Sequence, residues 1–332
     1  MTRILSYNIL VGGTGRVNQL TQIITSANPD VVGLVEATNT HVVEALAERL
    51  GMQYHISDSP KHSHDWQVAL LSRLPIVRTQ VHSDPRVLTK PVLELGIEEA
   101  NGRELSVFVT HLSAAFSHGW AGDGMRRREV QEILRIMQAR KGTPHLLMGD
   151  FNALAPGDRL KGSRLLRYLV EMDRRHAGKP KDSTGHPYLD FVVPAPLRVF
   201  NPLLRAIPRS KLLCALFDEA GSLYAPRGSI RLLRNAGYVD SFRRMNPHEW
   251  GFTCPSAAPA GRIDFIFASP DLAERLSACQ VITEAGGLDA EEASDHLPVV
   301  ADFGEGVKQD AGDEKQLMDS DPIVEFGEGV AM

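Results

Sequence analysis

The stretch Leu146-Leu147-Met148-Gly149-Asp150-Phe151-Asn152-Ala153 decides the fold of this chain. Its three apolar residues run into a glycine, which predicts a buried strand that ends in a sharp turn. Asp150 and Asn152 stand two positions apart, so they share one face of the strand's end. A carboxylate and a carboxamide in one small space suit proton acceptance and hydrogen-bond donation. Because Gly, Asp and Asn are also ordinary turn residues, the other strand ends must decide between a site and a plain turn.

The composition is that of a globular protein, and its charges are unevenly spread. The chain has 332 residues, of which 43% are hydrophobic and 23% charged, and a net charge of −5. Residues 307–332 hold seven acids against two lysines, which predicts a disordered acidic tail after a single domain at 1–306. Residues 157–236 hold fifteen Lys or Arg against seven Asp or Glu. A near-neutral body with one basic segment suits an acidic site and an anionic partner.

The sequence favours a cytoplasmic location. Cys214, Cys254 and Cys279 are odd in number, widely spaced and fit no metal-binding pattern, so they indicate a reducing compartment. The chain enters a predicted strand almost at once, without an apolar signal region. No apolar run reaches the roughly 18 residues that a membrane span needs.

Apolar runs and helical periodicity divide the chain into alternating strands and helices. The predicted strands lie at 3–11, 31–36, 52–57, 66–72, 92–98, 104–110, 145–149, 261–267 and 299–303. The predicted helices lie at 16–27, 38–50, 126–140, 160–172, 229–235 and 271–279, and the Gly-rich residues 117–125 are predicted to form a loop.

Two further strand ends carry titratable residues. Glu36 ends a nearly continuous apolar run, where burying a carboxylate is costly unless a cation or a donor meets it. The alternative is an acid at the start of the next helix. His111 ends the strand 104–110, and histidine is suited to proton transfer near neutral pH. A capping or core histidine is about equally consistent with that position.

Other polar groups have weaker claims. The motif His62-Ser63-His64-Asp65 is better explained as a solvated loop than as a metal site. The run Arg126-Arg127-Arg128 is best explained as a solvated helix start, although Arg126 and Arg128 also lie just beyond His111 and are weak candidates for substrate binding. The long irregular segment at about 155–236 is either a functional lid over the site or a solvated excursion.

The polar strand ends together form an inventory of carboxylates, carboxamides and imidazoles without a thiolate ligand set: Asn8, Glu36, His111, Asp150, Asn152, Asp264, Asp295 and His296. Hard oxygen ligands suit Mg²⁺ or Mn²⁺ rather than a structural zinc. A divalent cation beside two histidines and a basic carboxylate is chemistry for hydrolysing a phosphate ester.

The motifs Ser-Tyr-Asn8, Val-Glu36, Thr-His111-Leu, Gly-Asp150-Phe-Asn152, Arg-Ile-Asp264-Phe and Ser-Asp295-His296-Leu-Pro occur in an order that resembles the endonuclease/exonuclease/phosphatase superfamily. The resemblance spans residues 3–303. It implies a deoxyribonuclease I-like α+β fold, a four-layer α/β/β/α sandwich of two packed mixed β-sheets.

The resemblance also implies roles. Glu36 would be the principal metal ligand, with Asn8 and Asp295 beside it. Asp150 would orient or deprotonate the attacking water, and Asn152 would stabilise the phosphorane. Among the imidazoles, His296, held by Asp264, would bind a non-bridging phosphate oxygen, and His111 would assist the leaving group or bind phosphate.

Departures from the family pattern narrow the substrate. Abasic-site endonucleases have a tyrosine where this chain has His111, which argues against that activity. The inositol 5-phosphatases carry a Trp-Cys-Asp-Arg signature that is absent before Asp264, which argues against inositol phosphates as substrates. The expectation is a phosphodiesterase, with nucleic acid as one candidate substrate. The alternatives are a phosphomonoesterase or a phospholipid or sphingomyelin-type hydrolase that contacts an anionic surface, and an inactive binding protein.

Overall fold

The computed structural model describes residues 1–57, 67–114, 120–175, 189, 193, 195–285 and 287–305. The strands are β1 Thr2–Asn8, β2 Val31–Val35, β3 Gln53–Ile56, β4 Val68–Ser72, β5 Ile76–His82, β6 Val92–Glu98, β7 Glu104–His111, β8 His145–Asp150, β9 Val239–Asp240, β10 Asp264–Ala268, β11 Leu276–Val281, β12 Glu284–Ala285, β13 Leu288–Asp289 and β14 Val299–Phe303. The helices are α1 Val17–Ala27, α2 Thr40–Leu50, α3 Trp120–Met137, α4 Gly162–Arg175, α5 Asn201–Ala206, α6 Lys211–Tyr224, α7 Gly228–Asn235, α8 Ser241–Met245 and α9 Pro270–Ala273.

Two mixed six-stranded sheets form the centre of the protein. The first sheet has the order β11-β14-β1-β2-β4-β3, and the second has the order β5-β6-β7-β8-β10-β9. Strands β1 and β2 pair in parallel, as do β7 and β8, whereas β10 runs antiparallel to β8. Parallel neighbours end at the same edge of a sheet, and an antiparallel neighbour begins there. This topology therefore gathers the predicted strand ends at one edge.

The alternation of side chains along the strands builds three apolar layers. The inner faces of the two sheets pack together, with Ile4 from the first sheet and Met148 from the second. The outer face of the first sheet packs on α1 and α2 through residues such as Leu5 and Leu20. The outer face of the second sheet packs on α3 and α7 around Phe108. The predicted four-layer α/β/β/α fold is confirmed.

A glycine allows the two sheets to approach closely beside the site. Gly33, in β2, faces the second sheet, and a Cβ built there would lie 2.4 Å from Cε of Met148. A larger residue at position 33 would therefore require the flexible end of the Met148 side chain to move, and it would lie 3.2 Å from Cγ2 of Val109.

Part of the local structure differs from the prediction. Residues 271–279 do not form a helix, because only Pro270–Ala273 is helical and Leu276–Val281 is an edge strand paired with β14. The predicted loop at 117–125 is also wrong for residues 120–125, since α3 begins at Trp120. The strand Ile76–His82 and the helix Lys211–Tyr224 were not predicted.

The basic segment at 155–236 contains α4, α5, α6 and α7. A small apolar cluster centred on Leu166 and Leu169 of α4 holds its first part together. The motif at 62–65 and the acidic tail fall outside the described residues. Within the described part of the chain, no helix combines the length and the apolar character that crossing a membrane requires.

Candidate active site

The register of the strands brings the predicted site residues to one edge. Asn8 ends β1, and Glu36 directly follows β2, its parallel neighbour. In the second sheet, Asp150 at the end of β8 is the register partner of both His111 in β7 and Asp264 in β10. Inward-facing residues of the two sheets therefore meet around Asp150.

The glycine before Asp150 sets the direction of that carboxylate. Gly149 has φ of 141°, and a Cβ built on it would lie 1.8 Å from the backbone oxygen of Thr110. Only glycine fits this backbone position and this approach of β7. The opening stretch is therefore a strand end that glycine shapes so that Asp150 points into the site.

The Asp150 carboxylate is the centre of the site. Its Oδ2 accepts a hydrogen bond from Nδ2 of Asn8 at 3.2 Å. The same oxygen lies 3.6 Å from Nε2 of His111 and 3.8 Å from Nε2 of His296. Its Oδ1 accepts from the backbone N–H of Asn152 at 2.9 Å. Asp150 is therefore held by donors on several sides while it is almost fully buried.

The surroundings of Asp150 make it a suitable proton acceptor near neutral pH. Burial raises the pKa of Asp150 to about 7, and the nearby charge of Asp264 acts in the same direction. The charges of His296 and Lys90 and the hydrogen bond from Asn152 oppose this rise. A base works best when its pKa lies near the operating pH.

Glu36 lies on the first-sheet side of the site and shares Asn8 with Asp150. The Asn8 amide donates to Oε1 of Glu36 at 3.2 Å, and the backbone N–H of Val11 donates to Oε2 at 2.7 Å. Glu36 has φ of 58°, a left-handed backbone position that is uncommon for residues other than glycine. Such strain is characteristic of functional sites. The donors that surround the Glu36 carboxylate belong to the site. Its position at the end of an apolar strand therefore does not have to be explained as that of an acid at the start of the next helix.

His296 and Asp264 form a buried pair. Nδ1 of His296 lies 2.9 Å from Oδ2 of Asp264, and the backbone N–H of His296 donates to the Ser294 hydroxyl. Burial lowers the pKa of His296, but the charges of Asp264, Cys254 and Asp295 outweigh it and raise that pKa well above its ordinary value. This environment favours the protonated form of His296, whose Nε2 lies 3.8 Å from Oδ2 of Asp150.

His111 has the opposite character. It is buried, and burial lowers its pKa well below the ordinary value, with the charges of Lys90 and His296 acting in the same direction. Neutral His111 and charged His296 thus lie on two sides of one carboxylate. Environments that differ in this way assign different proton-transfer roles to two similar side chains.

Asn152 has a constrained backbone and an anchored side chain. Its φ is 48°, and its Nδ2 donates to the backbone oxygen of Leu112 at 3.0 Å. A carboxamide nitrogen carries two hydrogens, and within the described part of the chain only the hydrogen bond to Leu112 engages that nitrogen.

Lys90 is a residue of the site that sequence reasoning missed. It is only 7% exposed, and its ammonium donates to the backbone oxygen of Leu112 at 3.1 Å. Burial lowers the pKa of Lys90 to about 8, while the charges of Asp150, Glu36 and Glu129 oppose that shift. The available signal is a lysine two residues before the buried strand β6, on the side of the strand that precedes it rather than follows it.

The arginines at the start of the predicted helix 126–140 require a correction. Arg126 is not solvated: its side chain is fully buried, and its Nη1 donates to the backbone oxygen of Ser113 at 3.0 Å. Burial lowers the pKa of Arg126, against the charges of Asp123, Glu129 and Asp150. Arg128, in contrast, is exposed. Arg126 is close enough to Asp150 to affect a bound anion, whereas Arg128 lies on the surface of the helix.

Asp295 lies at the rim, on the side of the first sheet. It is partly exposed, and its backbone oxygen accepts from the N–H of Ser256 at 2.7 Å. Burial lowers the pKa of Arg16, whereas the charges of Asp295, Tyr7 and Glu36 raise it. Arg16, which the sequence interpretation did not single out, therefore feels the charges of both acids expected to assist a cation, and it donates to the backbone oxygens of Leu10 and Ala293.

The residues present fit a divalent cation. The Asn8 amide hydrogens bridge the Glu36 and Asp150 carboxylates, so a positively polarised group already separates two acids that would otherwise repel. Asp150, Asp264 and His296 form a second set, whose ligand atoms lie within 4.8 Å of one another. In that set the imidazole of His296 and the carboxylate of Asp264 already form a hydrogen bond with each other. We therefore favour the Glu36 side, where carboxylate oxygens are hard ligands. Asn8 would join them only if its amide turned, because its oxygen now accepts from the backbone N–H of Leu10 at 3.0 Å.

Comparison with known proteins places the chain in a family. The profile of the Endonuclease/Exonuclease/phosphatase family matches residues 5–296. The chain belongs to this family. A search of curated protein sequences found no match.

Several solved structures share the fold. An AP endonuclease from Archaeoglobus fulgidus is 18% identical with a TM-score of 0.59, covering 91% of this chain and 99% of its own. A 3′ phosphatase from Neisseria, bound to a product DNA hairpin, is 17% identical with a TM-score of 0.57, covering 92% and 100%. A family protein from Leptotrichia buccalis is 15% identical with a TM-score of 0.54, covering 92% and 100%. At these identities the likeness is one of fold.

Proposed function

We propose that the protein is a divalent-metal-dependent phosphodiesterase in which Asp150 is the general base. The observation that carries the proposal is the environment of the Asp150 carboxylate, which lies between Asn8, His111 and His296 with a pKa of about 7. Family membership supports phosphoester hydrolysis as the reaction class. Mg²⁺ is the proposed cation, with Mn²⁺ as a substitute.

The reaction would be an in-line attack of water on phosphorus. Asp150 would accept the proton of the attacking water as its oxygen bonds to phosphorus, and the bond from phosphorus to the leaving oxygen would break. The charged Nε2–H of His296 and the second N–H of Asn152 would donate to non-bridging oxygens. Neutral His111 would donate a hydrogen bond to the leaving oxygen.

A cation bound by Glu36 and Asn8, with Asp295 nearby, would polarise a phosphoryl oxygen. Asp264 would not touch substrate. Its role would be to keep His296 protonated and to fix the ring, as carboxylates behind catalytic imidazoles generally do. Lys90 and Arg126 are two buried cations that would add positive potential on the α3 side, where Leu112 and Ser113 follow β7.

The substrate class needs a direct test. The solved relatives from Archaeoglobus fulgidus and Neisseria, described as an AP endonuclease and as a 3′ phosphatase bound to DNA, make nucleic acid one class to examine. Purified protein would be assayed with Mg²⁺ or EDTA on bis-p-nitrophenyl phosphate, p-nitrophenyl phosphate, and single- and double-stranded DNA. We expect turnover of the diester that depends on metal. Absence of metal-dependent turnover on every substrate would contradict the proposal.

A salt titration separates the substrate classes. Binding to DNA weakens steeply as salt rises, because the protein releases counterions from the phosphate backbone. Hydrolysis of a small phosphodiester should change little over the same range. A steep salt dependence confined to DNA would support nuclease action, and equal dependence on all substrates would indicate a general effect on the protein.

A further inference from the structure

Exposed apolar side chains are concentrated in one part of the basic segment. Of the fourteen large hydrophobic residues that are exposed in the described structure, eight lie between Val199 and Tyr224. Scattered exposed leucines are ordinary on a protein surface, but a concentrated group indicates a contact surface. The group includes Val199, Phe200 and Leu203 before and within α5, and the leucines of α6.

Helix α6 packs on the protein through a face that is partly polar. The Phe217 ring contacts Gly162 at the start of α4, and Asp218 Oδ1 accepts from the backbone N–H of Ser163 at 2.7 Å. The Ser222 hydroxyl accepts from the N–H of Leu160 at 2.9 Å. Asp218 thus satisfies a donor at the start of α4 that lacks a partner within that helix. These contacts fix which side of α6 faces inward.

The opposite face of α6 carries leucines. Leu212, Leu216 and Leu223 are 70%, 59% and 84% exposed, and their spacing of four and seven residues places them on one side of the helix. We call these three residues the leucine face. An amphipathic helix normally buries its apolar side. Here the apolar side faces outward, and among the described residues none covers it.

The charges beside the leucine face are positive. Residues 195–217 contain four basic residues and no acid. Arg205 pairs with Asp173, whereas Arg198, Arg209 and Lys211 are exposed and form no ion pair within the described structure. Of the two acids of α6, Asp218 pairs with Lys161, and Glu219, which lies on the same side of the helix as Leu216 and Leu223, pairs with Arg159.

We propose that the leucine face, with Arg198, Arg209 and Lys211, is a docking surface for an anionic lipid bilayer. Leucines beside exposed cations are the combination that places a helix in the interface of a charged membrane, with the apolar chains among the acyl chains and the cations at the lipid phosphates. A second copy of the chain fits less well. A symmetric contact would bring the same unpaired cations face to face.

The docking surface lies on α6, which packs on α4, a helix that borders the candidate active site. The backbone N–H of Lys161, which directly precedes α4, donates to the backbone oxygen of Ala260 at 2.8 Å, four residues before Asp264, so the start of α4 lies near the site. Helix α4 also carries α6 through the contacts of Gly162 and Ser163. Docking would therefore hold the site near the membrane. The proposal itself does not depend on the reaction that the site performs.

The test is co-sedimentation of the full chain with vesicles of phosphatidylcholine, with or without phosphatidylglycerol. We expect binding to the anionic vesicles and little binding to pure phosphatidylcholine. Arg209→Gln with Lys211→Gln should weaken anionic binding by about 25-fold, from about fivefold for each of the two cations near a charged surface. Leu216→Asp should weaken it by at least roughly tenfold.

Val77→Asp is the matched control, since Val77 is 51% exposed in β5 and gains the same charge away from α6. Melting temperature and hydrolysis of a soluble diester should match the wild type in every variant. The proposal is overturned if the wild type ignores anionic vesicles, or if Leu216→Asp and Val77→Asp bind alike. A wild-type dimer in sedimentation velocity that Leu216→Asp converts to monomer would overturn it in favour of a second copy.

Discussion

Replacing Asp264 with asparagine tests the proposed division of labour between the two histidines. Burial lowers the pKa of His296, and the charge of Asp264 is the largest influence that raises it, with a smaller contribution from their 2.9 Å hydrogen bond. Asparagine keeps an acceptor of similar shape but removes the charge. The pKa of His296 should then fall, and the imidazole should become neutral near neutral pH.

The expected cost follows from the role of the pair. Loss of a carboxylate behind a functional imidazole lowers activity by about 10- to 100-fold. The larger value corresponds to about 2.7 kcal/mol of transition-state stabilisation. Because the protonated form of His296 is the useful one, the remaining activity should decline as pH rises through the lowered pKa. The wild type should stay active over that range, since its His296 pKa lies well above the ordinary value.

The assay is kcat/KM for bis-p-nitrophenyl phosphate across the pH range, at saturating Mg²⁺ and below the melting temperature of the variant. Asp271→Asn is the control, because Asp271 is exposed near the other end of β10. An Asp264→Asn enzyme with a lower rate but an unchanged pH profile would refute the assignment, since a purely structural role would give that result.

Three further outcomes are expected. The charge of Lys90 lowers the pKa of Asp150, so Lys90→Met should raise that pKa. The ascending limb of the pH–rate profile should then move to higher pH. A limb that does not move would contradict the electrostatic coupling between Lys90 and Asp150. Glu36→Gln should raise the Mg²⁺ concentration for half-maximal activity by about tenfold, and calorimetry should show weaker Mn²⁺ binding to the same degree. Burial raises the pKa of Glu94, but the hydrogen bonds that His82, Arg140 and Arg78 donate to its carboxylate outweigh burial and lower that pKa to about 2. A lowered carboxyl pKa stabilises the protein above the ordinary pKa of about 4.5, and this stability is lost as pH falls toward 2. Glu94→Gln should therefore cost about 2 kcal/mol, after discounting for solvent screening, in urea unfolding at pH 7 and much less at pH 3; an equal cost at both pH values would count against the ion pairs.

The sequence predicted the central sheets well because their strands are buried on both faces and read as apolar runs. It failed for residues 271–279, where Leu272, Leu276 and Cys279 have a spacing that also suits a helix. In the structure Leu276–Val281 is an edge strand, and pairing with β14 overrides the local pattern. The helix Lys211–Tyr224 was missed because its polar residues face the protein and its leucines face outward.

The glycines in residues 117–125 predicted a loop, but α3 contains Gly122 and Gly124, and packing explains why the helix begins there. Asp123 is buried, and its Oδ1 accepts from the backbone N–H of Gly228 at 3.2 Å at the start of α7. A Cβ on Gly228 would lie 2.5 Å from the Asp123 carboxylate. Contacts between elements distant in the sequence therefore decide this helix start.

The site itself was predictable as a set of strand ends, and the structure brings most of that set around Asp150. The residues Lys90 and Arg16 could not be found in that way. Lys90 precedes its strand, and Arg16 reaches the rim from the turn before α1 by donating to backbone oxygens of Leu10 and Ala293. Whether a charged side chain is buried beside the site depends on residues distant in the sequence, so it can be recognised only in the folded structure.

The most direct test of the central claim is the metal-dependent turnover of bis-p-nitrophenyl phosphate by the wild type and by Asp150→Asn. The asparagine keeps the shape and the hydrogen bond from the backbone N–H of Asn152 but cannot accept a proton from water. We expect turnover with Mg²⁺, none with EDTA, and a loss of roughly 10²- to 10⁴-fold in the variant. An Asp150→Asn protein with full metal-dependent activity would contradict the assignment of Asp150 as the base.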